Sequence, residues 1–183
     1  MYLADILNAN NMNILMKVFN PLATPYIWEK GDWIDLRAAE TVHIRGPRSE
    51  MLKQHDGEKY RKVVFHDAKI PLGVAMKLPE GMEAIVNTRS SLFKNCKVIL
   101  ANNQGVIDNS YNGDGDQWFA HVIALEDTTI NEGDRICQFR ILPSQRATLF
   151  QKLKWLFSRE LTFTIVKHLS NKNRGGHGSS GIK

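Results

Sequence analysis

The sequence has no apolar run long enough to span a membrane, and its N-terminus lacks the basic segment, apolar stretch and small-residue cleavage site of a secretory signal. Both absences predict a cytoplasmic protein that does not engage a membrane. Cysteine is scarce: Cys96 and Cys137 have no metal-type spacing, and no histidine pair falls at helical metal-binding spacing, which argues against zinc and for reduced thiols. No P-loop is present, so any phosphate must be held by other means. The charge is +5 with a pI near 9.2, which suits a phosphate-bearing partner. The basic residues are dispersed and not interleaved with aromatics, so a nucleic-acid partner is not expected.

With 183 residues and 43% hydrophobic composition, the chain can build one sizeable core. A single domain is expected over residues 1–183, with an N-terminal extension (1–11), two insertions (46–62 and 144–160) and a C-terminal arm (170–183). Short strand candidates bounded by turns recur along most of the chain, which predicts an all-β sandwich or jelly-roll barrel. They include Met12 to Phe19, Trp33 to Leu36 with one wet face, Val63 to Phe65, Ile70 to Leu78, Glu83 to Asn87, Asp134 to Ile141 and Leu161 to Val166. Residues Gly46 to Lys62 are charged and aperiodic, which predicts an exposed loop. In Ser144 to Glu160, Leu149, Phe150, Leu153, Leu156 and Phe157 share one helical face, with Gln151, Lys152 and Lys154 opposite. That spacing predicts an inserted amphipathic helix whose stripe meets the core or another subunit.

The chemistry concentrates in Leu100 to Trp118, LANNQGVIDNSYNGDGDQW. The Val106-Ile107 pair has a buried character, Asp108 follows it, and a glycine-punctuated turn leads into the apolar run Trp118 to Leu125, a pattern that predicts a β-hairpin with a carboxylate at its bend. A plain surface turn would use the same Asp, Asn and Gly residues. A calcium loop fits Asp108, Ser110, Asn112, Gly113, Asp114 and Asp116 but meets Phe119 where a bidentate glutamate is needed, and it lacks flanking helices. The third reading is a nucleotide site.

The third reading gains from the rest of the chain. Gly-Val-Ile-Asp-x-x-Tyr-x-Gly, Gly105 to Gly113, closely resembles the third signature motif of the trimeric dUTP pyrophosphatases (dUTPases). Gly31-Asp32-Trp33-Ile34-Asp35-Leu36-Arg37 stands at the place of the first motif, with Trp33 and Ile34 where a small residue and glycine are customary. Arg89-Ser90-Ser91 matches the second motif, and Gly133-Asp134-Arg135-Ile136-Cys137-Gln138 the fourth, with Cys137 in place of alanine. Arg174-Gly175-Gly176-His177-Gly178-Ser179-Ser180-Gly181 resembles the fifth, with His177 at the aromatic position and Arg174 closer to it than usual. The compact arm is similar to those of enzymes from Gram-positive bacteria and their phages.

The resemblance implies a dUTPase-like jelly roll with a flexible glycine-rich arm, and hydrolysis of dUTP to dUMP and pyrophosphate. Asp108 would orient and deprotonate the attacking water. Arg89, Ser90, Ser91, Gln138, Arg174, Ser179 and Ser180 would share the phosphate charge, with Lys172 an alternative to Arg174. Asn102 and the backbone of Gly105, Val106 and Ile107 would read the uracil edge, Tyr111 would pack on the sugar, and His177 and Gly178 would form the lid. Mg²⁺ would be carried chiefly by phosphates and waters, with Asp35 ordering those waters or the Arg89 of the second motif, a structural salt bridge being the other reading of Asp35. The family is a homotrimer with sites between subunits and an arm that often reaches a neighbour. Two alternatives have discriminating features: a dCTP deaminase of the same fold, for which Glu126 is the available acid although the usual Pro-Gly pair after Asp108 is missing, and a dUTP-responsive regulator using both insertions as partner surfaces.

Overall fold

A computed structural model describes residues 11–27, 31–158, 160–169 and 172–176. Its described elements are mostly strands, as the short apolar runs require. One sheet has the order Glu160–Ile165, Asn11–Val18, Val74–Lys77, and a second the order Val98–Leu100, Phe119–Ala124, Asp67–Pro71. The largest runs Gly105–Asp108, Met82–Thr88, Arg135–Pro143, Ile34–Arg37, Tyr26–Ile27. The pair Thr128–Ile130 with Val42–Ile44 stands apart. Trp118 and Phe139, both fully buried, meet edge to face at the centre with ring centroids 5.2 Å apart. Ile14, Leu36, Ile70, Leu72 and Met76 close around them from different sheets. Among the described residues no helix is long and apolar enough to cross a membrane.

Several elements differ from expectation. The strand Asn11–Val18 begins at the last residue assigned to the N-terminal extension, whose residues 1–10 lie outside the described ones. Residues 46–62 are not a loop but most of an antiparallel ribbon, Arg48–Lys53 with Lys59–Val64, turning through Gln54 to Glu58. Nearly every side chain on it is exposed, so neither face selects apolar residues and no alternation arises. The Ile70 to Leu78 run is two strands in different sheets. Gly73, at φ +68°, makes the corner, and a Cβ there would fall 2.3 Å from that of Ala23. A short helix, Leu92–Cys96, follows the second motif and has no counterpart among the sequence expectations.

The proposed hairpin is also absent. Gly105–Asp108 pairs with Met82–Thr88, whereas Phe119–Ala124 pairs with Val98–Leu100 and Asp67–Pro71, so residues 109–118 cross between two sheets. Adjacent strand residues point to opposite faces, hence only half of the Val106-Ile107 pair can turn inward: Ile107 packs on the core and Val106 is 57% exposed.

The inserted helix exists as Leu149–Phe157, opened by a capping box in which Thr148 accepts from the Gln151 N–H and Gln151 accepts from the Thr148 N–H. Its inner face is different from the expected one. Trp155 packs on the core and its indole N–H donates to the Ile141 carbonyl at 3.1 Å, and Gln151 approaches Gly81, while Leu149, Phe150, Leu156 and Phe157 stay exposed.

Candidate active site

Two sets of candidate side chains lie along the strand Met82–Thr88. At its C-terminal end the chain turns through Arg89, Ser90 and Ser91 into the short helix. Arg135–Pro143 runs beside it and places Gln138 opposite Asn87 on one side and opposite Asp35 on the other. Asp35 was expected on a wet face, yet it is only 7% exposed. Burial is possible because each of its oxygens has a cation: Arg89 Nε stands 3.0 Å from Oδ1, and Arg135 Nη1 donates to Oδ2 at 3.2 Å. Trp33, Asp35, Arg89, Arg135 and Gln138 line a pocket of about 360 Å³. Arg135 was not among the sequence candidates, although the fourth motif contains it. Its guanidinium also lies over the Tyr26 ring, 5.2 Å from the centroid, so it is fixed from two sides.

At the other end, antiparallel pairing sets Gly105 opposite Val86 and Asp108 opposite Glu83. The turn 101–104 that precedes this strand exposes Asn102 and holds Asn103 at φ +60°. A Cβ on Gly105 would meet Val86 at 3.2 Å, so glycine lets the two strands close up. Asp108 accepts hydrogen bonds from the Ser110 N–H at 2.8 Å and from the Ser110 hydroxyl, and is ion-paired to Arg174. Partial burial raises its pKa, but the two bonds from Ser110 and the Arg174 charge outweigh that and hold it below the usual carboxylate range. Asp108 is therefore an ionised acceptor with nearly half its side chain open to solvent. Tyr111 packs on the core and donates its hydroxyl to the Gln117 carbonyl at 2.8 Å. Burial and the nearby Asp116 charge raise its pKa, which keeps the phenol protonated.

The calcium reading fails on the partners of these carboxylates. Asp114 accepts from the Leu169 N–H at 2.7 Å, and Asp116 from the N–H groups of Gly113 and Arg174 at 2.9 Å and of Gly175 at 3.0 Å. Asp116 holds backbone, much of it from the arm, and Asp114 faces Lys17 at 3.8 Å and His168 at 3.2 Å as well. Asn173 accepts from the Gly115 N–H at 2.7 Å, and Gly176 lies against the Tyr111 ring. The arm thus brings Arg174 to Asp108 of its own chain, whereas Lys172 is exposed. His177, Gly178, Ser179 and Ser180 lie outside the described residues.

Asp108 and Arg89 stand at opposite ends of the strand Met82–Thr88, while Gly105, opposite Val86, lies nearer the Arg89 end. From Glu83, opposite Asp108, to Thr88, next to Arg89, the strand rises by roughly 17 Å at about 3.3 Å per residue. No small group can hydrogen-bond to both ends. Glu126 sits on an exposed turn whose backbone packs against Gly46, at the edge of the Thr128–Ile130 and Val42–Ile44 pair.

The dUTPase family model matches residues 60–180. The chain is 46% identical over 155 residues to the SPbeta prophage-derived deoxyuridine 5'-triphosphate nucleotidohydrolase of Bacillus subtilis, covering 85% of this chain and 87% of that protein. Among solved structures, the Streptococcus mutans dUTPase superposes with a TM-score of 0.58 at 19% identity, covering 73% of this chain and 98% of that one. A Staphylococcus bacteriophage 80alpha dUTPase, described as controlling transfer of virulence genes by a G protein-like mechanism, gives 0.54 at 17% identity over 74% of this chain and 93% of that one. At those identities the solved structures speak for the fold, and the family match and the Bacillus relative establish that the chain belongs to the dUTPase family.

Proposed function

We propose that the protein, acting as one dUTPase-like domain in the cytoplasm, hydrolyses dUTP to dUMP and pyrophosphate with Asp108 as the base. The observation that carries this reading is the environment of Asp108: a half-exposed carboxylate at a strand end, kept ionised by Ser110 and Arg174, beside an aromatic ring. Asp108 accepts a proton from the water that attacks the α-phosphorus in line. Asn102 and the backbone of Gly105, Val106 and Ile107 pair with the uracil edge. A buried edge-reading site leaves groups unpaired when cytosine is offered. Tyr111 packs on the sugar and leaves no room for a ribose hydroxyl.

Arg89, Ser90, Ser91 and Gln138 take the phosphates of a substrate whose base lies on another chain. This division is supported by the distance between Asp108 and Arg89 along Met82–Thr88, and the homotrimer that the family resemblance implies would supply the second chain. Arg174, Ser179 and Ser180 add to the phosphate charge, with His177 and Gly178 closing over the base. Such positioning and electrostatic stabilisation supply most of phosphoryl-transfer catalysis.

Among the described residues no three acid, histidine or cysteine side chains come together as a metal cage, and both Asp35 oxygens face arginines. The donor set therefore fits Mg²⁺ that arrives with the triphosphate and its waters, where it would neutralise phosphate charge, and Asp35 reaches it only through water. Its main work is to aim Arg89 and Arg135.

A regulatory reading is favoured by the exposed ribbon Arg48–Lys53 with Lys59–Val64. It predicts a protein complex that forms or dissociates with dUTP, and it is compatible with hydrolysis.

The deciding experiment is product analysis after incubation with Mg²⁺ and dUTP, dCTP, dTTP or UTP, with Asp108→Asn in parallel. Release of dUMP and pyrophosphate from dUTP alone, abolished in the variant, is expected. Deamination of dCTP would overturn the reading, and binding of dUTP without turnover would favour the regulator.

A further inference from the structure

The strand Tyr26–Ile27 has only two residues, and the reaction outlined above gives neither of them a task. It closes one edge of the largest sheet, where Tyr26 pairs with Asp35 and Ile27 with Ile34. Directly paired residues share a face, so Tyr26, Asp35 and Gln138 form one row across three strands. The row puts an aromatic ring on the edge side of Asp35 and a carboxamide on its inner side. What fixes Tyr26 lies just upstream. Pro21–Ala23 is a tight helical turn capped by Asn20, whose side chain accepts from the Leu22 N–H at 2.9 Å and donates to the Ala39 carbonyl at 2.7 Å. Ala23 is fully buried, so the chain leaves the core three residues before Tyr26 with little freedom.

Two guanidiniums lie over the Tyr26 ring, that of Arg135 at 5.2 Å from the centroid and that of Arg37 at 5.8 Å. Arg37 is anchored at its far end: it donates to the Gly133 carbonyl at 2.9 Å and so holds the turn from which Arg135 emerges. Arg135 is followed by a register shift before Cys137, the kind of bulge that re-aims a side chain. It donates to Asp35 at 3.2 Å and lines the pocket beside Arg89 and Gln138. A single hydrogen bond leaves a guanidinium able to pivot, and a ring stacked on it removes that freedom.

We infer that Tyr26, which lies outside all five motifs, is a positioning residue that aims Arg135 at the phosphates. This rests on the phosphate-binding reading of the pocket and adds the device that orients it: Asp35 sets where Arg135 sits, and Tyr26 sets which way its remaining N–H groups point. The same ring steadies Arg37 and through it the turn that leads into the strand Arg135–Pro143. Tyr26 does not line the pocket itself. It therefore acts through donor geometry, which counts for more in the transition state than in ground-state binding.

The test is steady-state dUTP hydrolysis with Mg²⁺ by the full chain, at matched protein concentration, for Tyr26→Leu, Tyr26→Phe, Arg135→Met and Tyr26→Leu combined with Arg135→Met. Leucine removes the π-face and is expected to lower kcat about three- to tenfold with a smaller change in KM, the size of one partly exposed cation–π contact. Phenylalanine keeps the ring and is expected to restore turnover. Arg135→Met is expected to lower kcat at least as far, and adding Tyr26→Leu to it should cost almost nothing more, because the ring then has no pocket arginine to aim. Equal losses in the leucine and phenylalanine variants, or a Tyr26→Leu loss that persists undiminished beside Arg135→Met, would show that Tyr26 only braces its edge strand and would overturn the inference. Unchanged turnover in Tyr26→Leu would overturn it too. Unchanged turnover in Arg135→Met would instead overturn the part of this pocket in binding phosphate, and the inference with it.

Discussion

Replacing Asp35 by asparagine separates charge from shape at the centre of the pocket lined by Arg89, Arg135 and Gln138. The carboxylate side chain is 9% exposed and its partners Arg89 and Arg135 are 29% and 33% exposed, at 3.0 and 3.2 Å. Removing one member of a fully buried ion pair costs roughly 3–5 kcal/mol. Both guanidiniums keep part of their surface in water, so about 2–3 kcal/mol is the reasonable loss. For a chain of this size each kcal/mol moves Tm by about 2–4 °C, which gives a fall of roughly 4–12 °C. Calorimetry must be run at matched protein concentration, because assembly contributes to Tm. A second consequence is kinetic. Arg89 and Arg135 keep their charge but lose the group that aims them, so kcat should fall more than KM rises. Arg135→Met leaves the Arg89 contact standing and should cost less in both assays. Unchanged Tm and kcat in Asp35→Asn would refute the idea that this carboxylate orients the pocket. Simple additivity in the double variant would refute coupling between Asp35 and Arg135.

Two further outcomes follow from other parts of the structure. Ser110 and Arg174 hold the Asp108 pKa down, and a base proposed at Asp108 works only when ionised, so the acid limb of kcat/KM should lie below the ordinary aspartate value of about 3.9. Activity is lost as pH falls through that lowered value, and Arg174→Ala should move the limb upward; a limb that stays in place would assign the effect to Ser110 alone. Gly73 and Gly133 have similar left-handed φ values, +68° and +84°, but a Cβ at Gly73 meets Ala23 at 2.3 Å while one at Gly133 meets nothing within 4 Å. Alanine at Gly133 should cost about 1–2 kcal/mol from backbone strain alone, and at Gly73 clearly more, as read by chemical denaturation; equal losses would contradict the packing at that corner.

The motifs were legible because each is a local run of side-chain chemistry that needs no knowledge of its partners. What failed was everything decided by a distant partner. The apolar runs around Asp108 looked like one hairpin, but strand pairing is set by which edges are free, and the edges taken belong to Met82–Thr88 and Val98–Leu100. The ribbon Arg48–Lys53 with Lys59–Val64 was hidden because two wet faces leave no period to find. Asp35 looked wet because it alternates with Ile34 and Leu36, and only two cations from elsewhere in the chain explain its burial. The acidic loop is the sharpest case. Asp108, Asp114 and Asp116 are spaced as cation ligands would be, and sequence spacing cannot state the sign or source of the charge that faces them. In the folded chain the partners are backbone N–H groups, the Ser110 hydroxyl, His168, the Lys17 ammonium and the Arg174 guanidinium, about half of them supplied by a segment more than fifty positions downstream. A loop and an arm that each look unstructured alone are therefore complementary. The loop has buried acceptors in need of donors, and the glycine-rich arm has free backbone donors and little side chain to obstruct them.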